Sequence, residues 1–338
     1  MIPTTNAEII SLLELSAQVG QNLLLTQAST GNTSVKLGGS LWIKASGKWL
    51  ADAMEDDIFI GLDLERVRDS IGRNCDPSRT YEMEPGSGLR PSVETPMHAV
   101  LPHPVVVHVH SVNTIACAVR EDAPAQLQRR LEGLRWTWIP YVPSGLPLAR
   151  AIQKAAVRSP GADVFILGNH GLVVGAEDCD EAAALLQCVE QRLGTAPRRA
   201  PNPDDEVLER VAANSAWALP RDRALHALAT DPVSVRILAG GLLYPCQAIF
   251  CGLNTPALFR AVSPPGPSGL CGHDARPFLM MEGCGVVLRE TIAPAESAIL
   301  SGLARVVQRI DSSAQVRYLS EAEASGLKLD AYRQGSGR

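Results

Sequence analysis

Aromatic side chains are scarce. The 5 Trp, 5 Tyr and 5 Phe make up 4% of 338 residues, too few to build stacking platforms for nucleic-acid bases. No cluster of Lys and Arg stands out, and 31 basic against 36 acidic residues leave a formal net charge of −5. The electrostatic footprint of a nucleic-acid or anionic-membrane surface is therefore absent. None of the eight cysteines (Cys75, Cys117, Cys179, Cys188, Cys246, Cys251, Cys271 and Cys284) forms a Cys-x-x-Cys pair, so they read as free, mostly buried thiols in a reducing compartment. Cys246, Cys251, Cys271 and His273 could make a second metal site, but Cys251 falls in an apolar, strand-like run over 248–252, which argues against it. The N-terminal apolar stretch is broken by Glu8, Glu14, Gln18, Gln21 and Asn22 and lacks a basic flank. Neither a signal peptide nor a transmembrane helix is expected, and the expected location is the cytoplasm.

The residues present suit a globular chain long enough for two domains, with 46% hydrophobic and 20% charged side chains. The stretch 91–111 organises it. Val105, Val107 and Val109 alternate with Val106, His108 and His110. In a strand, residues two apart share a face, so the two histidines project side by side and the odd valines pack the opposite side. Two imidazoles so placed offer two corners to one divalent metal. They could equally be ordinary core histidines with hydrogen-bonded rings, and a third ligand decides between these readings. One is at hand: the buried strand 164–167 ends in Gly168-Asn169-His170-Gly171, a glycine-bounded turn that suits chemistry more than packing. Three neutral imidazoles with an open position form a zinc arrangement used in catalysis. Upstream, Thr95-Pro96 marks a helix start, with Thr as N-cap and Pro as first helical residue. That places Glu94 beside the histidine strand as a candidate general acid/base.

Two small-residue turns, Ser29-Thr30-Gly31-Asn32 and Ala45-Ser46-Gly47, flank a hairpin turning at Gly38-Gly39. With Ser92 they could form an anion cradle or be ordinary turns. A helix is expected over 8–26, a strand over 57–64, a helix over 65–71 and a Gly/Pro/Ser-rich loop over 72–91 that either shapes the site or merely connects. Beyond the histidine strand, helical pieces are expected over 112–119 and 123–134, a strand from Trp136 and a helix over 147–156. Asp180 is expected to cap a helix over 182–193. Residues 195–205 read as a proline-rich linker between a catalytic domain, 1–194, and a C-terminal α+β region, 206–338. That region is expected to hold strands at 248–252, 278–281 and 285–288 and a helix over 296–310, and to supply no metal ligand.

Gly31-Asn32-Thr33-Ser34, Ala45-Ser46-Gly47, Pro91-Ser92-Val93-Glu94, His108-x-His110 and Gly168-Asn169-His170-Gly171, in this order, resemble the class II aldolase/adducin family over about residues 8–193. More loosely, the later segment, with Leu327-x-Leu329-Asp330-x-Tyr332-Arg333, resembles the second part of long aldolase modules in bifunctional rhamnulose-phosphate aldolase/dehydrogenases. The resemblance implies an α/β/α sandwich around a mostly antiparallel central sheet. It further implies a zinc-dependent aldolase of the fuculose-phosphate type, cleaving a ketose phosphate or related keto-sugar acid through a metal-stabilised enediolate, and a homotetramer. Carried over by position, His108, His110 and His170 would hold Zn2+, Glu94 would be the acid/base, and Asn32, Ser46, Gly47 and Ser92 would bind phosphate. His98 would be structural. The sequence departs at Val93, where fuculose-type enzymes have a second serine, and in lacking a tyrosine between His110 and Tyr141. Proton delivery to the leaving aldehyde would then fall to Tyr141, Tyr332 or water. Family members with related chemistry epimerise ribulose 5-phosphate at C4 or decarboxylate; an adducin-like, non-catalytic module lacks the histidines.

Overall fold

The computed structural model describes residues 6–80, 88–213, 215–251, 258–260 and 277–327. The chain divides into two compact units, the first holding the described residues up to Ala118 and 122–194, the second 119–121 and 195–327.

The first unit opens with helix α1 (Ala7–Gln21), whose N-terminus is capped by the Asn6 side chain and whose buried stripe carries Ile9, Leu12, Leu15 and Val19. Strands β1 (Asn32–Leu37) and β2 (Ser40–Lys44) form an antiparallel hairpin with Ser34 opposite Ile43. Its turn is Gly38-Gly39, at φ +56° and +81°. Both values lie in the left-handed region that a two-residue hairpin of matching twist requires. The chain continues through β3 (Phe59–Asp63), α2 (Leu64–Gly72), α3 (Pro77–Thr80), α4 (Thr95–Val100), β4 (Val105–Val109), α5 (Val112–Ala118), α6 (Ala123–Arg130), β5 (Trp136–Ile139), α7 (Leu146–Arg158), β6 (Val164–Leu167), β7 (Gly171–Ala176) and α8 (Cys179–Leu193). The strands make one seven-stranded mixed sheet in the order β3-β2-β1-β4-β7-β6-β5. Every described pairing in it is antiparallel except β5 with β6.

Strand β4 lies in the middle of this sheet and follows the alternation of its sequence. Val105, Val107 and Val109 join Leu12 of α1, Leu127 of α6 and Leu186 of α8 in one core. Val106 points the other way, into a second core with Met97 of α4, Leu148 and Ile152 of α7, and Phe165. Burying each such side chain is worth about 1.5–3 kcal/mol, so both faces of β4 are strongly specified. His108 shares the Val106 face by the two-residue period. The central sheet is thereby committed to presenting a polar ring inside an apolar wall.

The second unit contains α9 (Asp205–Ala212), β8 (Trp217–Ala218), α10 (Ala227–Thr230), α11 (Pro232–Ala239), α12 (Pro245–Cys251), β9 (Leu258–Arg260), β10 (Phe278–Glu282), β11 (Gly285–Arg289), α13 (Pro294–Val307) and α14 (Glu321–Ser325). Its sheet runs β8-β11-β10-β9. Residues 119–121 belong to this unit: Glu121 N–H donates to the Gln315 carbonyl at 3.0 Å, and Arg317 N–H to the Val119 carbonyl at 2.8 Å. The stretch 195–204 has no regular secondary structure, yet Arg198 is anchored by an ion pair to Asp231 at 2.6 Å and a bond to the Val307 carbonyl at 2.8 Å.

Three local expectations are corrected. Residues 248–251 lie in helix α12, not a strand, and every residue of that helix is buried. An apolar run buried all round carries no period to distinguish helix from strand. Helix α8 is capped by Asp178, whose side chain accepts from the Glu181 N–H, while Asp180 sits in the first turn. In α4, Glu94 holds the N-cap position and Thr95 is the first helical residue. Cys271, His273 and most of the 327–333 pattern lie outside the described residues.

Candidate metal centre

The rings of His108, His110 and His170 form a triangle, with every pair of centroids 5.0 Å apart. His108 comes from β4, His110 from the residue just past its end, and His170 from the turn between β6 and β7. That turn is held close by Gly171: a Cβ there would lie 2.4 Å from the Val109 carbonyl and 3.4 Å from the His108 ring. Only glycine lets β7 approach β4 at the rung where the imidazoles converge. Asn169, beside His170, adopts φ +51°, a left-handed conformation that asparagine tolerates better than most residues.

Glu94 closes the cluster. Its Oε1 lies 3.4 Å from His108 Nε2 and 3.3 Å from His170 Nε2, while His108 Nε2 and His110 Nε2 are 3.2 Å apart. Zinc–nitrogen bonds of about 2.0–2.1 Å in a tetrahedral set place adjacent donors about 3.4 Å apart, so these atoms are spaced to share a small divalent ion. The tautomers agree with that use. His108 Nδ1 lies 3.0 Å from the Leu172 carbonyl; donating there leaves Nε2 as a lone pair facing the cluster. The residues present therefore fit the metal that the donor set implies.

The electrostatics point the same way. Burial alone would raise the Glu94 carboxyl, but the charges and hydrogen bonds of His108 and His170 outweigh it and hold the group well below the usual carboxylate range. Burial pushes the His110 ring well below the ordinary imidazole value, reinforced by its two histidine neighbours. It also lowers His170, against the opposing pull of Glu94. A carboxylate held ionised beside His110 and His170 rings whose protonation burial disfavours is a donor set that divalent metals bind.

Behind Glu94 stands a hydrogen-bond chain. Asn32 Nδ2 donates to Glu94 Oε2 at 2.7 Å and approaches Ser92 Oγ at 3.4 Å. Asn32 Oδ1 also meets His98 Nε2, and His98 Nδ1 lies 2.7 Å from Ser34 Oγ. Cross-strand register explains why Asn32 arrives there, since it faces His108 across β1 and β4. Asn32 is preceded by Gly31 at φ +68°, where a Cβ would lie 2.8 Å from the His108 carbonyl. The Glu94 N–H donates to Ser92 Oγ at 3.2 Å. Asn32, Ser92, Glu94 and the three histidines are thus brought together. Ser46 is tied to the adjoining segment by its N–H, which donates to the Arg90 carbonyl at 2.9 Å, and Gly47 follows it at φ +78°.

Two contributors were missed by sequence reasoning. Ser144 Oγ donates to Glu94 Oε1 at 3.4 Å across 50 residues, and no local pattern marks it. Lys44 is buried at the end of β2; a lone charged residue inside the apolar run Leu41-Trp42-Ile43 was the signal available. Tyr141 follows β5, with its backbone nitrogen beside Gly168; Tyr332 lies outside the described residues.

Residues 11–196 match the Class II Aldolase and Adducin N-terminal domain, and the chain belongs to that family. It is 30% identical over 201 residues to the uncharacterized oxidoreductase YuxG of Bacillus subtilis, an alignment covering 53% of this chain and 29% of that protein. The chain spans less than a third of the length of the curated relatives it matches. Among solved structures, it resembles the N-terminal class II aldolase domain of a conserved Thermoplasma acidophilum protein at 23% identity and TM-score 0.46, covering 56% of this chain and 92% of that one. It also resembles the l-fuculose-1-phosphate aldolase of Thermus thermophilus at 19% identity and TM-score 0.37, covering 54% and 92%. No helix among the described residues is long and apolar enough to cross a membrane.

Proposed function

We propose that this protein is a zinc-dependent class II aldolase that cleaves a ketose phosphate by retro-aldol chemistry. The observation that carries this reading is the buried triangle of His108, His110 and His170 with the Glu94 carboxylate 3.3–3.4 Å from two of its nitrogens. These histidines would hold the metal, which when bound supplies a Lewis acid for the substrate's carbonyl and hydroxyl oxygens. Glu94 moves the proton at the carbon that carries the electron pair once the carbon–carbon bond has broken. Asn32, backed by His98 and Ser34, fixes the carboxylate's orientation, so the base is preorganised rather than recruited. Ser46, Gly47 and Ser92 anchor the far end of the substrate. The catalytic unit is the α/β/α sandwich of residues 1–194, and the working form is a cytoplasmic homotetramer.

The test is to incubate zinc-loaded protein with a panel of ketose phosphates and free keto-acids and to identify products by mass spectrometry. Dihydroxyacetone phosphate plus an aldehyde is the expected outcome. Release of carbon dioxide, or an epimer with no cleavage, would replace the aldolase with a decarboxylase or a 4-epimerase. Light scattering at micromolar concentration tests the tetramer, and a monomer would refute it.

A further inference from the structure

His110 stands beyond the last described rung of the sheet. Strand β4 pairs with β1 as far as His108 and with β7 as far as Val109. The direction in which the His110 ring leaves the chain is therefore governed by the backbone that follows, where the strand turns into α5. His108 is held differently, by two ladders and by the bond between its Nδ1 and the Leu172 carbonyl.

The start of α5 is clamped by one carboxylate. The Ser111 hydroxyl donates to Glu190 Oε1, and Asn113 Nδ2 donates to Glu190 Oε2 at 2.9 Å. Ser111 Oγ in turn accepts from the Thr114 N–H at 3.0 Å and so caps the helix. Both donors are buried. Glu190 projects from α8, whose Leu186, Val189 and Leu193 lie in the same core as Val109. The carboxylate therefore stands on a platform packed against the strand whose end it governs. A second hold on His110 is looser, since the Gln27 amide reaches its carbonyl at 3.5 Å. A buried hydroxyl needs an acceptor for its proton, and any nearby carbonyl would serve. A carboxylate that takes Asn113 as well grips the turn at two points, and two points fix a direction.

We propose that Glu190 is a positioning residue of the metal centre, its carboxylate clamping Ser111 and Asn113 so that His110 leaves β4 aimed at the point where the His108 and His170 rings converge. This rests on reading the three histidines as a metal site. Hydrogen-bond geometry, not charge, is the working element. Glu190→Gln keeps both points: its oxygen accepts from Asn113, and its amide donates to the second lone pair of Ser111 Oγ. Glu190→Ala keeps neither.

The experiment compares zinc affinity of the full chain in unaltered protein and variants by competition with a chromophoric chelator. The visible bands of the Co2+-loaded proteins record ligand geometry alongside it. Glu190→Ala should weaken zinc about 10–100-fold and change the cobalt bands, while Glu190→Gln should stay close to the unaltered protein in both. Asn113→Ala removes one point and leaves the Ser111 cap in place. It should weaken zinc about tenfold, the lower end of that range, and it carries the test if Glu190→Ala does not fold. An equal loss in Glu190→Gln and Glu190→Ala would make the effect one of charge and overturn the clamp. A lowered Tm of metal-free Glu190→Ala, with zinc affinity and cobalt bands unchanged, would reduce Glu190 to a packing role and overturn it too. The two readings fail separately. Unaltered protein that binds neither zinc nor Co2+ refutes the metal site and the clamp with it. Normal loading of the unaltered protein, matched by Glu190→Ala and Asn113→Ala, refutes the clamp alone.

Discussion

Glu94→Gln separates the roles that the geometry assigns to one carboxylate. Oε2 accepts from Asn32 Nδ2 at 2.7 Å, and Oε1 faces two imidazole nitrogens at 3.3–3.4 Å. A glutamine offers one acceptor and one donor in place of two acceptors. With its oxygen toward Asn32, its amino group faces the metal donors; turned round, two amino groups oppose each other. Either orientation forfeits a hydrogen bond to a charged group, worth about 1.5–3 kcal/mol. Transmitted to the metal, that is about 10–150-fold in zinc affinity. The proton-transfer loss comes on top, at about 10²–10⁴-fold in rate. Zinc affinity is read by competition with a chromophoric chelator. Proton transfer is read as deuterium exchange from solvent into dihydroxyacetone phosphate by NMR, which does not require the aldehyde to be known. A variant that keeps zinc and exchanges at a near-normal rate would refute the acid/base role. One that loses zinc entirely would redraw the site as three histidines plus one carboxylate ligand.

His108→Ala should reduce zinc from one per chain to near zero by elemental analysis, and full retention would refute the ligand assignment. Gly171→Ala places a Cβ 2.4 Å from the Val109 carbonyl, so β7 must part from β4. A cost of about 1–3 kcal/mol and weaker zinc binding are expected, and an unchanged Tm and zinc affinity would count against the close approach. Burial holds His98, His110 and His170 below the ordinary imidazole value of 6.5. In metal-free protein the unfolded chain binds protons below that pH while the folded chain does not, so stability is full above it and declines as the pH drops toward the folded-state values. Urea midpoints should fall as the pH is lowered from about 7 toward about 5.5; a flat profile over that window would refute the burial argument.

What was legible in the sequence is what has a short period or a local signature. The His-x-His strand could be read because side chains alternate every two residues, and His170 because glycines bracket it at a strand end. The hairpin at Gly38-Gly39 was legible for a similar reason, since few other dipeptides turn that tightly. The hydrogen bonds that organise Glu94 were not. Asn32 was expected from the resemblance to bind phosphate; the bonds of its amide to Glu94 and His98, 62 and 66 residues away, have no local signature. Ser144 and Lys44 reach the site through tertiary packing alone. The 248–251 segment was misread for the opposite reason, because uniform burial erased the period that would have identified a helix.

The Gly38-Gly39 turn has a consequence for how such a protein can change. It fixes β2 against β1, so one residue inserted there would slide β2 by one register step and carry Lys44 to the opposite face of the sheet. The rungs that carry the histidines lie on the other side of β1, paired to β4 and β7, and would keep their alignment. Turn length is therefore a mutational handle on the placement of Lys44 and the 45–47 turn that leaves the histidine rungs in place. A lineage could explore new substrates by insertion at one surface bend while inheriting its chemistry intact.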